Sequence, residues 1–63
     1  MFTYRLNWAD GEDAGEAAYA HYVNPGDEIL TMQEGKLRAL RVLDLVPVPE
    51  NSAYDGLLRV ETA

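Results

Sequence analysis

Four acids, Asp10, Glu12, Asp13 and Glu16, crowd into one short segment and offer the oxygen donors that a calcium ion takes. A calcium loop needs acids at alternate positions, a glycine at the sixth and a glutamate at the twelfth. Counted from Asp10, the third position is Glu12 and the sixth is Gly15, but the fifth is Ala14 and the twelfth is His21. Two ligands fail, so the cluster reads as a solvated acidic turn. His21 is the one histidine, and acid–base or nucleophilic chemistry needs a partner placed beside it. Thr3, Thr31, Ser52 and Thr62 carry no motif, and His21 reads as a half-exposed strand residue. Gly11, Gly15, Gly26, Gly35 and Gly56 are spread one to a turn and form no phosphate cradle. The absence of cysteine removes both a disulfide framework and a thiolate zinc site. The chain is read as non-enzymatic, with no catalytic residue, metal or cofactor assigned.

Tyr4, Trp8, Tyr19, Tyr22 and Tyr54 are the rings that could stack on bases, as in single-strand-binding barrels. Such platforms lie in basic grooves. Here residues 1–35 hold seven acids and one base, and residues 36–63 hold four of each. Four of these five rings therefore share the acidic half, which favours core and hairpin packing for them. The net charge of −6 argues against an electrostatic grip on nucleic acid or an anionic membrane. Arg38, Arg41 and Arg59 gather in the neutral half, where they can meet Asp44 and Glu61 nearby or the acidic half of another copy. Exposed pairs of that kind contribute roughly 0–1 kcal/mol each.

The elements that position these groups follow from period and punctuation. Phe2, Tyr4, Leu6 and Trp8 alternate with Thr3, Arg5 and Asn7, the pattern of a strand with one buried face. Residues 9–15 read as a polar turn. Residues 16–23 fit a helix by their alanines and a strand by the alternation of Ala17, Tyr19, His21 and Val23; the strand is preferred. Asn24-Pro25-Gly26-Asp27 is a structural turn, type II if Gly26 takes a positive φ. Residues 28–32 form a third strand, and Gln33-Glu34-Gly35-Lys36 a hairpin connection. Residues 37–46 make a long strand, apolar on both sides: Leu37, Leu43 and Leu45 on one, Leu40, Val42 and Val46 on the other. Pro47 and Pro49 end it. Residues 57–62 form the last strand, burying Leu58 and Val60.

Five short strands with hairpin-length links, expected to pair antiparallel throughout, imply an all-β fold. The natural form is a small, strongly bent five-stranded barrel of SH3-like type, with an OB-like barrel as the runner-up. Sixty-three residues make a single domain, residues 1–63, expected to fold on hydrophobic burial alone or with help from oligomerisation. Apolar types make up 48% of it, too much for a disordered chain. The N-terminus shows no basic stretch followed by an apolar run. The most apolar stretch, residues 37–48, carries Arg38, Arg41 and Asp44 and is too short to span a bilayer. A cytoplasmic location is expected.

The segments Asp10-Gly11, Asp13-Ala14-Gly15-Glu16-Ala17, Pro25-Gly26-Asp27-Glu28-Ile29, Arg41-Val42-Leu43-Asp44-Leu45-Val46-Pro47 and Gly56-Leu57-Leu58-Arg59-Val60-Glu61 stand in a distinctive order. Together they resemble a group of short, uncharacterised bacterial proteins of actinobacterial type, over nearly the whole chain. The resemblance implies a free-standing small bacterial protein and carries over no functional residue.

Apolar side chains on both faces of the long strand exceed what one narrow barrel can hold, which points outward to a contact surface. The expected function is protein–protein contact, with self-association as a homodimer around Leu37, Leu43, Leu45 and Leu57 flanked by Arg38 and Arg41. A nucleic-acid-binding or nucleic-acid-mimicking barrel is the alternative class, and a small ligand carrier or minimal enzyme the third.

Overall fold

The alternation at the N-terminus produces the expected strand, with Tyr4 and Leu6 fully buried and Phe2 and Trp8 half-buried on the same face. In the computed structural model, which describes residues 1–63, the chain forms five strands and no helix. They are β1 (Phe2–Trp8), β2 (Asp13–Tyr19), β3 (Glu28–Gln33), β4 (Lys36–Val46) and β5 (Gly56–Thr62). They lie in one sheet in the order β2-β1-β5-β4-β3, which curls until its two edges, β2 and β3, face each other across a seam. The result is a small, nearly closed barrel.

The pairing departs from the expected antiparallel pattern at one ladder. β1 and β5 run parallel, from Tyr4 opposite Gly56 to Trp8 opposite Val60. The other three ladders are antiparallel. Parallel pairing requires a crossover, and residues 9–55 supply it. Asp55 sets the register. Its N–H donates to the Thr3 carbonyl at 2.7 Å, and its carboxylate accepts the Thr3 N–H at 2.8 Å. The side chain thus takes the place of a backbone carbonyl at the open end of the ladder.

β2 begins at Asp13 and ends at Tyr19, three to four residues ahead of the expected span of residues 16–23. It opens early because the register slips between Leu6 and Asn7: Leu6 faces Gly15 and Asn7 faces Asp13, leaving Ala14 as the extra residue of a bulge. It stops early because residues 20–27 must cross the barrel end to reach β3. Val23 plugs that end, buried, and its N–H donates to the Tyr4 hydroxyl at 3.2 Å. The turn that follows is the expected one. The Asp27 N–H donates to the Asn24 carbonyl at 3.1 Å, and Gly26 sits at φ +94°, as type II requires. Gly26 and Asp27 then extend the β4 ladder through two bonds with Val42, at 2.8 and 2.9 Å.

The core is eight side chains: Tyr4, Leu6, Val23, Ile29, Leu40, Val42, Leu58 and Val60. β4 reaches it through a second bulge. Val42 faces Val60 and Asp44 faces Arg59, so Leu43 is the extra residue. The bulge reverses the expected sides of the strand beyond it. Leu45 now lies opposite buried Leu58, on the inward face, and Val46 is turned outward beside Leu57. A Cβ at Gly56 would meet Leu45 Cδ1 at 2.8 Å and the Tyr4 ring at 3.4 Å, so a larger residue there would make the Leu45 side chain shift.

Two substitutions probe this frame. Gly26→Val has open space around the added side chain, so its loss, about 1–3 kcal/mol, comes from forcing a β-branched residue to positive φ. An unchanged urea midpoint would contradict that conformation. Asp55→Ala removes the carboxylate that accepts the Thr3 N–H and is expected to lower stability by about 1 kcal/mol. Hydrogen exchange should show the loss first at the Thr3 and Tyr4 amides.

Candidate functional site

The β3–β4 hairpin carries the chemistry that the core does not absorb. Its connection, Glu34-Gly35, has φ of +50° and +77°, the two positive values of a type I′ turn. Such a turn matches the twist of the flanking strands and holds a strict register: Glu28 opposite Arg41, Leu30 opposite Ala39, Met32 opposite Leu37. These pairs form the outer face. Ile29, Thr31 and Leu40 point inward and are buried.

The outer face is apolar in a way that alternation alone does not demand. Leu30, Met32 and Leu37 are 58%, 62% and 63% exposed. Ala39 lies among them, and Ala63 adjoins it through an N–H bonded to the Ala39 carbonyl at 3.2 Å. The patch is bounded on one side by a charged row, in which Arg41 reaches Glu28 at 3.9 Å and Glu61 at 3.5 Å. The Glu34-Gly35 turn bounds the other.

The inner side of the hairpin end lines an open cleft of about 530 Å³. Met32, Gln33, Glu34, Lys36 and Arg38 form one wall; Trp8, Asp13, Ala14 and Gly15 form the other. The walls are tied by the Gln33 side-chain amide, which donates to the Ala14 carbonyl at 3.0 Å. At the far end of the seam the Tyr19 hydroxyl donates to the Leu30 carbonyl at 2.9 Å. These two side-chain bonds close the barrel where no backbone ladder does. Burial pushes the Tyr19 phenol above its ordinary value, against a smaller opposing pull from Thr31. A raised value in the folded state means the phenol stabilises the fold below its ordinary value of 10.0 and releases that stability as it ionises above it.

The expected interface residues do not come together. Leu37 stands in the apolar patch. Leu43 is half-buried in its bulge, Leu45 lies over Gly56 on the side of Leu58 yet is 39% exposed, and Leu57 is half-buried next to Val46. Leu37 and Leu45 are about 26 Å apart along the strand. Of the arginines, Arg41 and Arg59 are taken by neighbours: Arg41 by Glu28 and Glu61, and Arg59 by Asp44 through both Nε and a terminal nitrogen. Arg38 lines the cleft and has no ion pair, and Lys36 beside it has none either. Alternation puts Leu30 and Met32 on the side of β3 opposite Ile29 and Thr31, but it does not say which side faces the core.

The remaining candidates have local roles. Asp10 accepts the Glu12 N–H, and Asp13 accepts the Gly15 N–H while pairing with Arg5 at 2.9 Å. Tyr54 donates to Glu16 at 2.5 Å, and the Tyr54 hydroxyl and Asp13 beside Arg5 raise its guanidinium further above its ordinary value. The rings are dispersed rather than aligned. Tyr4 is in the core, Phe2 stacks on Tyr22 with centroids 4.1 Å apart, and Trp8 faces the cleft. His21 is exposed at the crossing segment. No helix is long and apolar enough to cross a membrane. No family model, curated protein or solved structure matches the chain.

Glu34 offers a direct check on the hairpin geometry. An L-residue at this positive φ is strained, and glycine relieves the strain at some entropic loss. Glu34→Gly is therefore expected to raise stability by about 0.5–1 kcal/mol, read as a higher midpoint in thermal or urea unfolding. A lower midpoint would show that the glutamate side chain is needed for the fold.

Proposed function

We propose that the protein acts through protein–protein contact rather than catalysis, as a homodimer joined through the outer face of the β3–β4 hairpin. The observation that carries this reading is the contiguous patch of Leu30, Met32, Leu37 and Ala39, whose three large side chains are each more than half exposed. An apolar patch of a few hundred Å², about the largest that an ordinary monomer exposes, is often functional. A second copy is the occupant favoured by economy: a two-fold axis uses the same patch twice and covers both with one contact.

The area also sets the strength. A stable interface buries roughly 800 Å² on each partner, so this patch supports a dimer at micromolar concentration and not a permanent one. The driving force is apolar. The arginines once available for charge pairing, Arg41 and Arg59, are satisfied within the chain, and two copies at −6 each repel. Salt should therefore tighten the dimer by screening that repulsion, the opposite of what a charge-driven contact would show.

Sedimentation equilibrium tests the proposal. The wild type should be dimeric at high micromolar concentration and more so as sodium chloride is raised. Leu37→Asp should be monomeric with an unchanged far-ultraviolet spectrum, because the side chain it replaces is 63% exposed and outside the core. A wild type that stays monomeric at every salt concentration would overturn the assignment.

A further inference from the structure

We propose that the cleft between the two hairpin ends binds a small dicarboxylate that also carries an ammonium group, the chemistry of an acidic amino acid. The cleft opens at the seam beside the apolar patch and shares Met32 with it; its charged residues belong to the cleft alone. Its volume, about 530 Å³, is that of a small-molecule site.

The argument begins with the charges that have no partner. The chain has five bases, and three are held in ion pairs: Arg5 with Asp13, Arg41 with Glu28 and Glu61, Arg59 with Asp44. Lys36 and Arg38 are the two that are not, in a chain with eleven acids to choose from. They stand two residues apart on one side of β4 and both line the cleft. Two cations so placed suit two carboxylates, with Arg38 able to hold one of them by a fork of N–H groups.

The acids of the cleft decide what else the ligand must carry. Asp13 is neutralised by Arg5 and by the Gly15 N–H. Glu34 has no ion pair, lines the same wall as Lys36 and Arg38, and occupies a positive-φ position that glycine or asparagine would fill with less strain. The cleft is lined by two bases and two acids, and with Asp13 held by Arg5 the groups without an ion pair are two positive and one negative. A simple dianion would meet repulsion from Glu34, whereas a dicarboxylate with an ammonium meets all three charges with their opposites. The oxygen of the Gln33 amide, whose nitrogen is engaged with Ala14, is a further acceptor for the ammonium. Trp8 on the facing wall adds an aromatic surface for the ligand's methylenes.

Trp8 is the only tryptophan, so its fluorescence reports on the cleft directly. The folded protein is titrated with L-glutamate, with glutarate, and with potassium chloride at matched ionic strength. Saturable change is expected with glutamate at millimolar concentration, weaker change with glutarate, and none with potassium chloride. Replacing Lys36 and Arg38 together by glutamine should weaken glutamate by about tenfold or more, the loss of at least one charge-assisted hydrogen bond. Glu34→Gly, which keeps the hairpin, should erase the preference for glutamate over glutarate. A change that potassium chloride reproduces, the absence of any saturable change with either acid, or a titration indifferent to the Lys36 and Arg38 substitutions would overturn the proposal.

Discussion

The ladder between β1 and β5 is the only backbone ladder that joins the β1–β2 hairpin to strands β3, β4 and β5. Each remaining ladder joins strands that are neighbours in sequence. Buried Leu6 and Leu58 meet across this parallel ladder, and Tyr4 lies against Gly56. Without it the chain is two short β units, neither able to bury its apolar face. Asp55 belongs to this constraint as much as any core residue does, because its two bonds to Thr3 hold the ladder at the level that brings Leu6 to Leu58.

Closing a five-stranded sheet into a barrel leaves two edges to manage, and here side chains do so. Tyr19 and Gln33 each reach from one edge strand to a carbonyl on the other. Edge groups left unpaired invite pairing with other chains, and this arrangement shields them without a backbone ladder. It also gives the β3–β4 hairpin two different environments. Its inner face must meet the core and, beyond the core, the cleft at the seam. No other strand packs over its outer face, and Leu30, Met32 and Leu37 remain in solvent. A core of eight side chains had no room for them.

Legibility in the sequence divides along physical lines. The strands of strong period two, β1 and β5, were readable to within a residue, as were β3 and β4, because Pro25-Gly26 and Glu34-Gly35 mark their boundaries. The all-β, barrel-forming character followed from those same signals. β2 was misplaced because a bulge at Ala14 makes a strand out of residues that look like a turn, and because His21, Tyr22 and Val23 continue an alternation that the chain abandons to cross the barrel end. Strand direction was not legible: a parallel β1–β5 pair depends on where a nine-residue loop returns, and Asp55 is an ordinary loop residue until its contact with Thr3 is seen. The bulge at Leu43 carried no signal either. It moved Leu45 to the inner face and so dispersed the expected interface, leaving Leu37 to join two neighbours from β3.

The parallel arrangement of β1 and β5 has a mechanical meaning. Because the two strands run the same way, Phe2 and Thr62 lie toward opposite ends of the barrel, about 25 Å apart by strand rise. Tension applied between those points runs along the strands, and every hydrogen bond of the ladder is loaded at once, in shear. An antiparallel pair in the same place would be pulled open from one end, one bond at a time. The order in which this short chain joins its first and last strands therefore sets the direction of loading: shear along the ladder rather than unzipping from one end.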